Sequence, residues 1–251
     1  MISDKLKQKL SGGQTLRGTF VKLNCPAAVE ILGYAGLDFV IIDGEHAPCD
    51  QIMLENLVRA GDCVGLPVIV RVPTADDIHI LKAMDVGAAG VQIPGIETVA
   101  QAEDVVKAAK YAPAGRRGLS FAQRSACYGF MDKAEYLSRS NENGVTVVHI
   151  ENREMAEQAE ALCKIPEIDV LFIGPMDLSQ SYGKPGQPSA PEVQEAIRHV
   201  IVTAAEHHKP TGIFVGTREA AERYERLGVR YIVLGSDASL LLQGARASFP
   251  H

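Results

Sequence analysis

The sequence predicts an α/β protein in which eight parallel strands alternate with helices and close a (β/α)8 barrel, or TIM barrel. Short apolar runs alternate with amphipathic stretches along the chain, and strict alternation favours a parallel sheet. The 251 residues contain about eight such units and no internal linker, which fits a single barrel domain over residues 1–251. A doubly wound open sheet is the alternative, but no G-x-G-x-x-G follows its first strand.

Each strand is predicted from a short run rich in β-branched residues, and each helix from apolar spacing and capping residues. The predicted strands are residues 16–24, 39–42, 67–73, 90–94, 145–151, 169–174, 211–215 and 231–234. The predicted helices are residues 1–14, 27–35, 50–63, 76–84, 98–111, 132–138, 153–163, 192–207, 218–227 and 238–247. Residues 115–130 and 175–191 are predicted to be irregular, and a loop as long as the first is often functional.

Composition excludes some classes of partner. The formal net charge is −6 and no basic run is present, which argues against nucleic acid or an anionic membrane as a partner. No stretch approaches the roughly 20 apolar residues of a transmembrane helix, and residues 1–7 lack a signal-peptide core. The five cysteines are widely spaced with no C-x-x-C. We therefore expect reduced thiols in a cytoplasmic protein.

The stretch 38–48 joins a buried strand to a group of ionisable residues. Apolar residues 39–42 are followed at once by Asp43, Glu45 and His46. Such groups are costly after a buried strand unless the strand ends at a solvent-accessible pocket, so we expect a site here. Taken alone, the three side chains indicate a metal cluster. His46 also suits proton transfer, since its ordinary pKa is about 6.5, and Asp43 is the local candidate to fix its tautomer.

Polar residues recur at the predicted carboxyl ends of the strands, where the sites of TIM barrels lie. They could converge on one pocket, or each could simply cap a strand in its loop. These residues are Asn24, Asp43 with His46, Arg71, Gln92, Glu151, Asp177, and Ser236 with Asp237.

Glu151 and Asp177 form the sharpest pair, at the ends of the fifth and sixth predicted strands. Neighbouring strands lie about 4.8 Å apart. Two carboxylates at such a short distance repel each other unless a cation lies between them. Oxygen ligands favour Mg2+ or Mn2+, and two protein ligands leave room for substrate, as in a catalytic site. His149 shares a strand face with Glu151. It could bind substrate, add a nitrogen ligand, or be a hydrogen-bonded core histidine.

Arg71 ends the third predicted strand and needs an anionic partner there. Either an acidic residue or a substrate carboxylate or oxyanion could supply the charge. Residues 174–177 open a helical turn whose backbone N–H groups could hold a carboxylate. The site therefore suits a small 2-oxo acid. No lysine lies at a predicted strand end, which argues against a Schiff base.

Seven stretches, found in order across nearly the whole chain, resemble the HpcH/HpaI aldolase family of metal-dependent class II pyruvate aldolases. They are DFVIIDGEHAP at 38–48, VRVP at 70–73, MDVGA at 84–88, GRRG at 115–118, HIE at 149–151, FIGPMDLS at 172–179 and VLGSD at 233–237. The resemblance implies reversible cleavage of a 4-hydroxy-2-oxo acid to pyruvate, or a related 2-oxo acid, and an aldehyde. The alternatives are a lyase like the citrate lyase β-subunit or malyl-CoA lyase, and a non-catalytic barrel that binds 2-oxo acids.

The resemblance also implies roles for residues. Glu151 and Asp177 are expected to bind Mg2+, Mn2+, Co2+ or Zn2+, and His46 to accept a proton. Arg71 is expected to stabilise the developing oxyanion. Asp85, rather than Asp43, is implied as the support of His46. Because Asp85 precedes the fourth strand, a neighbouring subunit would supply it, within a homo-oligomer (a hexamer built as a trimer of dimers) that exchanges its last helix.

Two residues depart from the family pattern at positions expected to bind substrate. His149 stands where the family usually has glutamine, and Met176 where it usually has a small residue. Met176 would narrow the site while its backbone still binds a carboxylate. His149 could keep the hydrogen bond of the glutamine or alter the metal preference.

Overall fold

The computed structural model describes residues 4 to 249. Eight parallel strands form a closed barrel in sequence order, with β8 paired to β1. The strands are β1 (Leu16–Val21), β2 (Phe39–Asp43), β3 (Val68–Arg71), β4 (Gly90–Ile93), β5 (Val145–Ile150), β6 (Val170–Ile173), β7 (Thr211–Val215) and β8 (Tyr231–Ser236). The predicted (β/α)8 barrel is therefore confirmed.

Helices lie before the first strand, around the barrel and after the last strand. They are α1 (Asp4–Ser11), α2 (Pro26–Tyr34), α3 (Gln51–Val64), α4 (Asp77–Asp85), α5 (Val99–Ala109), α6 (Lys133–Asn143), α7 (Arg153–Glu157), α8 (Ala159–Cys163), α9 (Pro175–Ser181), α10 (Pro191–Glu206), α11 (Arg218–Arg226) and α12 (Asp237–Ser248). Among these described residues, no helix has the length and apolarity needed to cross a membrane.

Several predicted segments were wrong in detail. The helix predicted over residues 132–138 continues as α6 to Asn143. Residues 175–191 were predicted to be irregular apart from a helical turn opened by residues 174–177. In the structure this turn continues as α9 to Ser181, with Pro175 at the first helical position. The single helix predicted over residues 153–163 is divided at Gln158, whose φ of −99° and ψ of 18° are not helical. The predicted helix over residues 1–14 is observed as α1, and residues 1–3 lie outside the described part of the chain.

The barrel interior is filled by alternate residues of each strand. In β2, Phe39 and Ile41 belong to the inner cluster, whereas Val40 and Ile42 pack against the helices, as the two-residue period of a strand requires. The ring of Phe39 stacks on Tyr231 at a centroid distance of 4.1 Å. The Phe39 ring fits here only because residue 18 is a glycine, since a Cβ at Gly18 would lie 2.5 Å from the ring.

The N-terminal end of the barrel is closed by α1. Its residues Leu6 and Leu10 are buried in the inner cluster, and their spacing of four places them on one face of the helix. At the opposite end, the described residues leave an open cavity. The same alternation that fills the interior places Asp43, Arg71 and Gln92 side by side, in register, on the inner wall near that open end.

Candidate active site

An open cavity of about 470 Å³ lies at the carboxyl ends of the strands. It collects most of the residues predicted for the site, from five different strands or the loops after them. Its wall includes His46, Arg71, His149, Glu151, Met176, Asp177 and Ser236, together with Phe20, Lys22, Phe172, Phe214 and Gln243. Polar and ionisable groups that converge in this way are typical of a TIM-barrel active site.

A larger cavity of about 550 Å³ lies at the opposite end of the barrel. Its basic side chains are engaged by the protein itself. Lys7 pairs with Asp169 at 3.0 Å, and the Lys209 ammonium donates to the carbonyls of Ile165 and Ile168. These contacts connect structural elements at the N-terminal end of the barrel and leave those lysines engaged by the protein itself. We therefore assign the active site to the cavity at the carboxyl end.

A buried ion network stands on one side of the active-site pocket. Asp43 is fully buried and faces Arg71, with Nε at 3.0 Å from Oδ1 and Nη2 at 2.8 Å from Oδ2. Lys22 Nζ lies 3.1 Å from the same Oδ2, and Arg71 Nη1 lies 2.9 Å from Glu45 Oε2. Burial acts to raise the pKa of Asp43, but Arg71, a backbone N–H and Lys22 outweigh it and lower the pKa to about 2.

This network answers the question about the partner of Arg71. Acidic residues of the chain satisfy part of its charge: Arg71 Nε donates a hydrogen bond to Asp43, and its two Nη atoms form ion pairs with Asp43 and Glu45. The side chain of Arg71 also lines the pocket. The ring of Phe20, 4.4 Å from the guanidinium carbon, supports the group from one face.

Lys22 corrects one expectation. No lysine was predicted at a strand end, because the first strand was drawn to residue 24. In the structure β1 ends at Val21, and Lys22 follows it on the pocket wall. The alternation of side chains along β1 could have predicted this position. Leu16 and Phe20 point into the barrel, and residue 22 continues the same face of the strand. The Lys22 Nζ lies 3.1 Å from Asp43 Oδ2, so this side chain is held by an ion pair on the pocket wall.

His46 lies in the turn after β2 and its side chain is 59% exposed. Asp43 was the local candidate to fix its tautomer, but Asp43 holds the backbone of this turn instead, through its Oδ1 and the N–H groups of Glu45 and His46. The carboxylate near the ring is Glu45, with Oε2 at 3.8 Å from Nε2. Burial raises the pKa of Glu45, and Glu151 adds to that rise while Arg71 opposes it. Within residues 4–249, Asp43, Glu45 and His46 are not arranged to hold a metal ion together.

Glu151 faces the pocket from the end of β5, within a chain of buried polar groups. Its Oε1 accepts a hydrogen bond from His149 Nδ1, and its Oε2 accepts from the Gly95 N–H at 3.2 Å. On the far side of the imidazole, Gln92 Nε2 lies 2.7 Å from His149 Nε2. Burial acts to raise the pKa of Glu151, but His149 and the Gly95 N–H outweigh it and lower the pKa to about 2. Glu151 is therefore a carboxylate at neutral pH.

Asp177 lies in the first turn of α9, beside Met176, which is half exposed on the pocket wall. In the described part of the chain, no hydrogen bond or ion pair engages the Asp177 carboxylate. Gly174 at the start of this turn is required by Glu151, since a Cβ there would lie 2.8 Å from its Cγ and 3.0 Å from its Oε1. The turn thus brings Asp177 to the pocket while leaving space for the Glu151 carboxylate.

The two carboxylates fit a divalent cation. Glu151 is ionised and each of its oxygens keeps a lone pair beside its one hydrogen bond. Among the described residues nothing pairs with the Asp177 carboxylate, so both side chains can supply hard oxygen ligands. Within residues 4–249 no group of three or more histidine, cysteine, aspartate or glutamate side chains is arranged to hold a metal ion. The protein would therefore supply two ligands and leave the remaining positions to substrate and water.

Asp85 is absent from this pocket. It ends α4, before β4 begins, and so lies at the opposite end of the barrel. Its carboxylate pairs with Arg117 Nη2 at 2.6 Å. Within one chain, Asp85 and His46 therefore lie at opposite ends of the barrel and cannot be in contact, as the position of Asp85 in the sequence indicated.

Comparisons with known proteins agree with this geometry. A family model described as HpcH/HpaI aldolase/citrate lyase matches residues 16–244. A 5-keto-4-deoxy-D-glucarate aldolase of Shigella boydii serotype 18 is 35% identical over 238 residues, which cover 94% of this chain and 91% of that protein.

Two solved structures extend the comparison. An HpcH/HpaI aldolase/citrate lyase family protein from Burkholderia cenocepacia J2315 superposes with a TM-score of 0.93 at 32% identity, covering 98% of this chain and 97% of the other. The citrate synthase SbnG gives a TM-score of 0.88 at 27% identity, covering 99% and 96%. The chain belongs to the HpcH/HpaI aldolase/citrate lyase family, and it is an aldolase, a carbon–carbon lyase, as its sequence predicted.

Proposed function

We propose that the protein cleaves a 4-hydroxy-2-oxo acid reversibly to pyruvate, or a related 2-oxo acid, and an aldehyde, with a divalent cation held by Glu151 and Asp177. The observation that carries this proposal is that one pocket presents two available carboxylates together with His46 and Arg71. Mg2+, Mn2+ and Co2+ suit the oxygen ligands, with Zn2+ as a further candidate.

The 2-oxo acid half of the substrate would lie against β5 and β6. A cation bound by Glu151 and Asp177 supplies Lewis-acid polarisation of the 2-oxo group. The backbone N–H groups of Met176 and Asp177 belong to the first turn of α9 and lack helical partners, so they can hold the substrate carboxylate. The Met176 side chain narrows this part of the pocket and favours a small 2-oxo acid.

His46 is the proton acceptor in this proposal. It follows β2 and reaches the pocket from the side opposite β5 and β6, because the strands close the barrel in order. His46 takes the proton of the 4-hydroxyl group, the C3–C4 bond breaks, and the bonding electrons pass to C3 and the 2-oxo oxygen as an enolate. The guanidinium of Arg71, on the pocket wall, stabilises the developing negative charge. Protonation at C3 then gives the 2-oxo acid.

The last helix and Asp85 indicate how subunits would complete the site. Helix α12 buries only its first residue, while Leu241 and Leu242 are 67% and 51% exposed. We propose that α12 packs on a second copy of the chain in a homo-oligomer, and that a neighbouring copy supplies Asp85 to His46. A monomeric mass by light scattering at assay concentrations contradicts this part of the proposal.

Chelation tests the metal requirement. Pyruvate release from a panel of 4-hydroxy-2-oxo acids should stop after incubation with EDTA and removal of the chelate, because polarisation of the 2-oxo group is lost. Addition of Mg2+, Mn2+ or Co2+ should restore it. In the synthetic direction, a panel of aldehydes with pyruvate, oxaloacetate or hydroxypyruvate identifies the favoured pair. Cleavage that survives complete chelation contradicts the metal mechanism, and binding of pyruvate and Mg2+ without any turnover favours a non-catalytic barrel.

The family description aldolase/citrate lyase and the similarity to the citrate synthase SbnG favour one second candidate, a lyase of the citrate lyase β-subunit or malyl-CoA type. The described structure gives the active-site pocket two basic residues, Lys22 and Arg71, and both are engaged by acidic residues. Neither provides a basic patch for the phosphates of coenzyme A. Turnover of malyl- or citryl-CoA in the same assay, faster than any 4-hydroxy-2-oxo acid, would favour this candidate.

A further inference from the structure

The cavity of about 550 Å³ at the N-terminal end of the barrel combines buried apolar residues with an excess of basic side chains. Leu10 and Ile201 line it and are at most 5% exposed. Among the described residues of its wall, three lysine or arginine side chains face a single carboxylate. The cations are Lys7, Lys209 and Arg230, and the carboxylate is that of Asp169. This cavity is therefore cationic in a protein whose formal net charge is −6.

These charged residues come together because they precede neighbouring strands. Asp169 lies directly before β6, Lys209 shortly before β7 and Arg230 directly before β8. The Arg230 N–H donates to the Thr211 carbonyl at 3.1 Å, which fixes the start of β8 beside the start of β7. Lys7 reaches the same place from α1. The cavity thus lies between α1 and the starts of three strands.

Only part of the positive charge in this cavity is neutralised by an acidic side chain. Lys7 pairs with Asp169 at 3.0 Å. The Lys209 ammonium is held instead by neutral backbone carbonyls of the loop before β6. Within residues 4–249, no carboxylate lies within ion-pair distance of Lys209 or Arg230. Both side chains are partly buried, and a cation in such a place is stabilised by an anion beside it.

Arg230 keeps available the part of its guanidinium that recognises anions. Its Nη1 donates to three neutral oxygens at 3.2 to 3.4 Å, those of the Thr15 hydroxyl and the Glu225 and Val229 carbonyls. In the described part of the chain, no hydrogen bond or ion pair uses its Nε or Nη2. These two nitrogens form a planar fork that matches two oxygens of a carboxylate or a phosphate.

We propose that this cavity binds a small metabolite that carries a carboxylate or phosphate group and an apolar body. The anionic oxygens pair with Nε and Nη2 of Arg230, while Lys7 and Lys209 add positive charge. The apolar body packs against Leu10 and Ile201. A volume of about 550 Å³ lies in the usual range for sites of small ligands. The proposal does not depend on the proposed function, because this cavity and the active-site pocket lie at opposite ends of the barrel.

Isothermal titration calorimetry of the full-length protein tests this site with two probes, inorganic phosphate and succinate, at constant ionic strength. The wild type should bind at least one of them saturably, and the tighter probe identifies the anionic group. Arg230→Met should weaken this binding by about 10- to 100-fold, because the charge-assisted hydrogen bonds to the anion are lost. Arg230→Lys provides a second variant if Arg230→Met does not fold. It keeps the charge without the fork and should weaken binding several-fold.

Arg226→Met is the matched control for Arg230→Met. Arg226 is an exposed arginine in the last turn of α11 and lies outside the cavity, so its loss changes the net charge equally. The affinity for the probe should be unchanged in this variant. Equal weakening in the two methionine variants would show general attraction by the net charge and would overturn the proposal.

Two further results would overturn the proposed anion site. One is a wild-type protein that binds neither probe saturably. The other is binding that neither Arg230→Met nor Arg230→Lys weakens, which places the anion elsewhere on the protein. The titration contains no 4-hydroxy-2-oxo acid and measures no turnover. A failure of the aldolase mechanism therefore leaves its outcome unchanged, and the absence of anion binding here leaves the aldolase mechanism intact.

Discussion

Replacement of His46 by alanine should lower the rate of pyruvate release by roughly 10²- to 10⁴-fold, the usual contribution of a positioned proton acceptor. The loss should fall on kcat, because the proposed cation ligands and Arg71 remain in place to bind the 2-oxo acid. Folding should be unaffected, since the His46 side chain is 59% exposed. Continuous measurement of pyruvate release gives kcat and KM, and thermal unfolding checks the fold.

His79→Ala is the matched control for this variant. His79 is an exposed histidine of α4 that lies outside the active-site pocket, and its removal should leave turnover unchanged. Added imidazole should restore part of the activity of His46→Ala, because the position is open to solvent. A His46→Ala enzyme that works within a few-fold of the wild-type rate removes His46 from the mechanism.

Replacement of Asp43 by asparagine should lower the free energy of unfolding by about 3–5 kcal/mol, the usual cost of removing one partner of a buried ion pair. Asp43 is fully buried between Arg71 and Lys22, so the neutral amide leaves two cations without their shared counter-charge. Activity should fall as well, because the same carboxylate holds Arg71 and the turn that carries His46. Denaturant unfolding at neutral pH measures the loss of stability.

The pH dependence provides a separate check on Asp43. Its pKa in the folded protein is about 2, below the ordinary value of 3.8. The stabilisation is therefore fully present above about pH 4 and is lost as the pH falls toward 2. Asp43→Asn should lack this part of the acid dependence of the wild type. Asp104→Asn, which breaks an exposed ion pair with Arg116, should cost less than about 1 kcal/mol. Equal losses in the two aspartate variants contradict the buried network.

The sequence predicted those site residues whose positions depend on one strand and the loop after it. Buried apolar runs that end in ionisable residues indicated His46, Arg71 and Glu151, and the structure brings all three to one pocket. Lys22 required a correct strand boundary as well. Once β1 is known to end at Val21, its alternation places the lysine at the mouth of the barrel.

Other features depend on contacts between distant parts of the chain. Tyr231 and Gln92 are separated by 139 residues, and no local pattern shows that their side chains meet in the barrel interior. The partners of Asp43 depend on the register of β2 against β3, which sets it opposite Arg71. Helix α9 was predicted only as a turn at residues 174–177, because the proline and serine residues around it favour loops. This helix is explained by Pro175 at its first position rather than by a long run of apolar residues at helical spacing.

Anomalous diffraction from crystals grown with Mn2+ and pyruvate tests the central claim most directly. We expect one Mn2+ peak within ligand distance of the carboxylates of Glu151 and Asp177, with the pyruvate carboxylate and 2-oxo oxygen completing the coordination. His46 should face the bound pyruvate from across the pocket without contacting the ion. A Mn2+ peak bound directly by His46, or placed among Asp43, Glu45 and His46, would contradict the proposed mechanism.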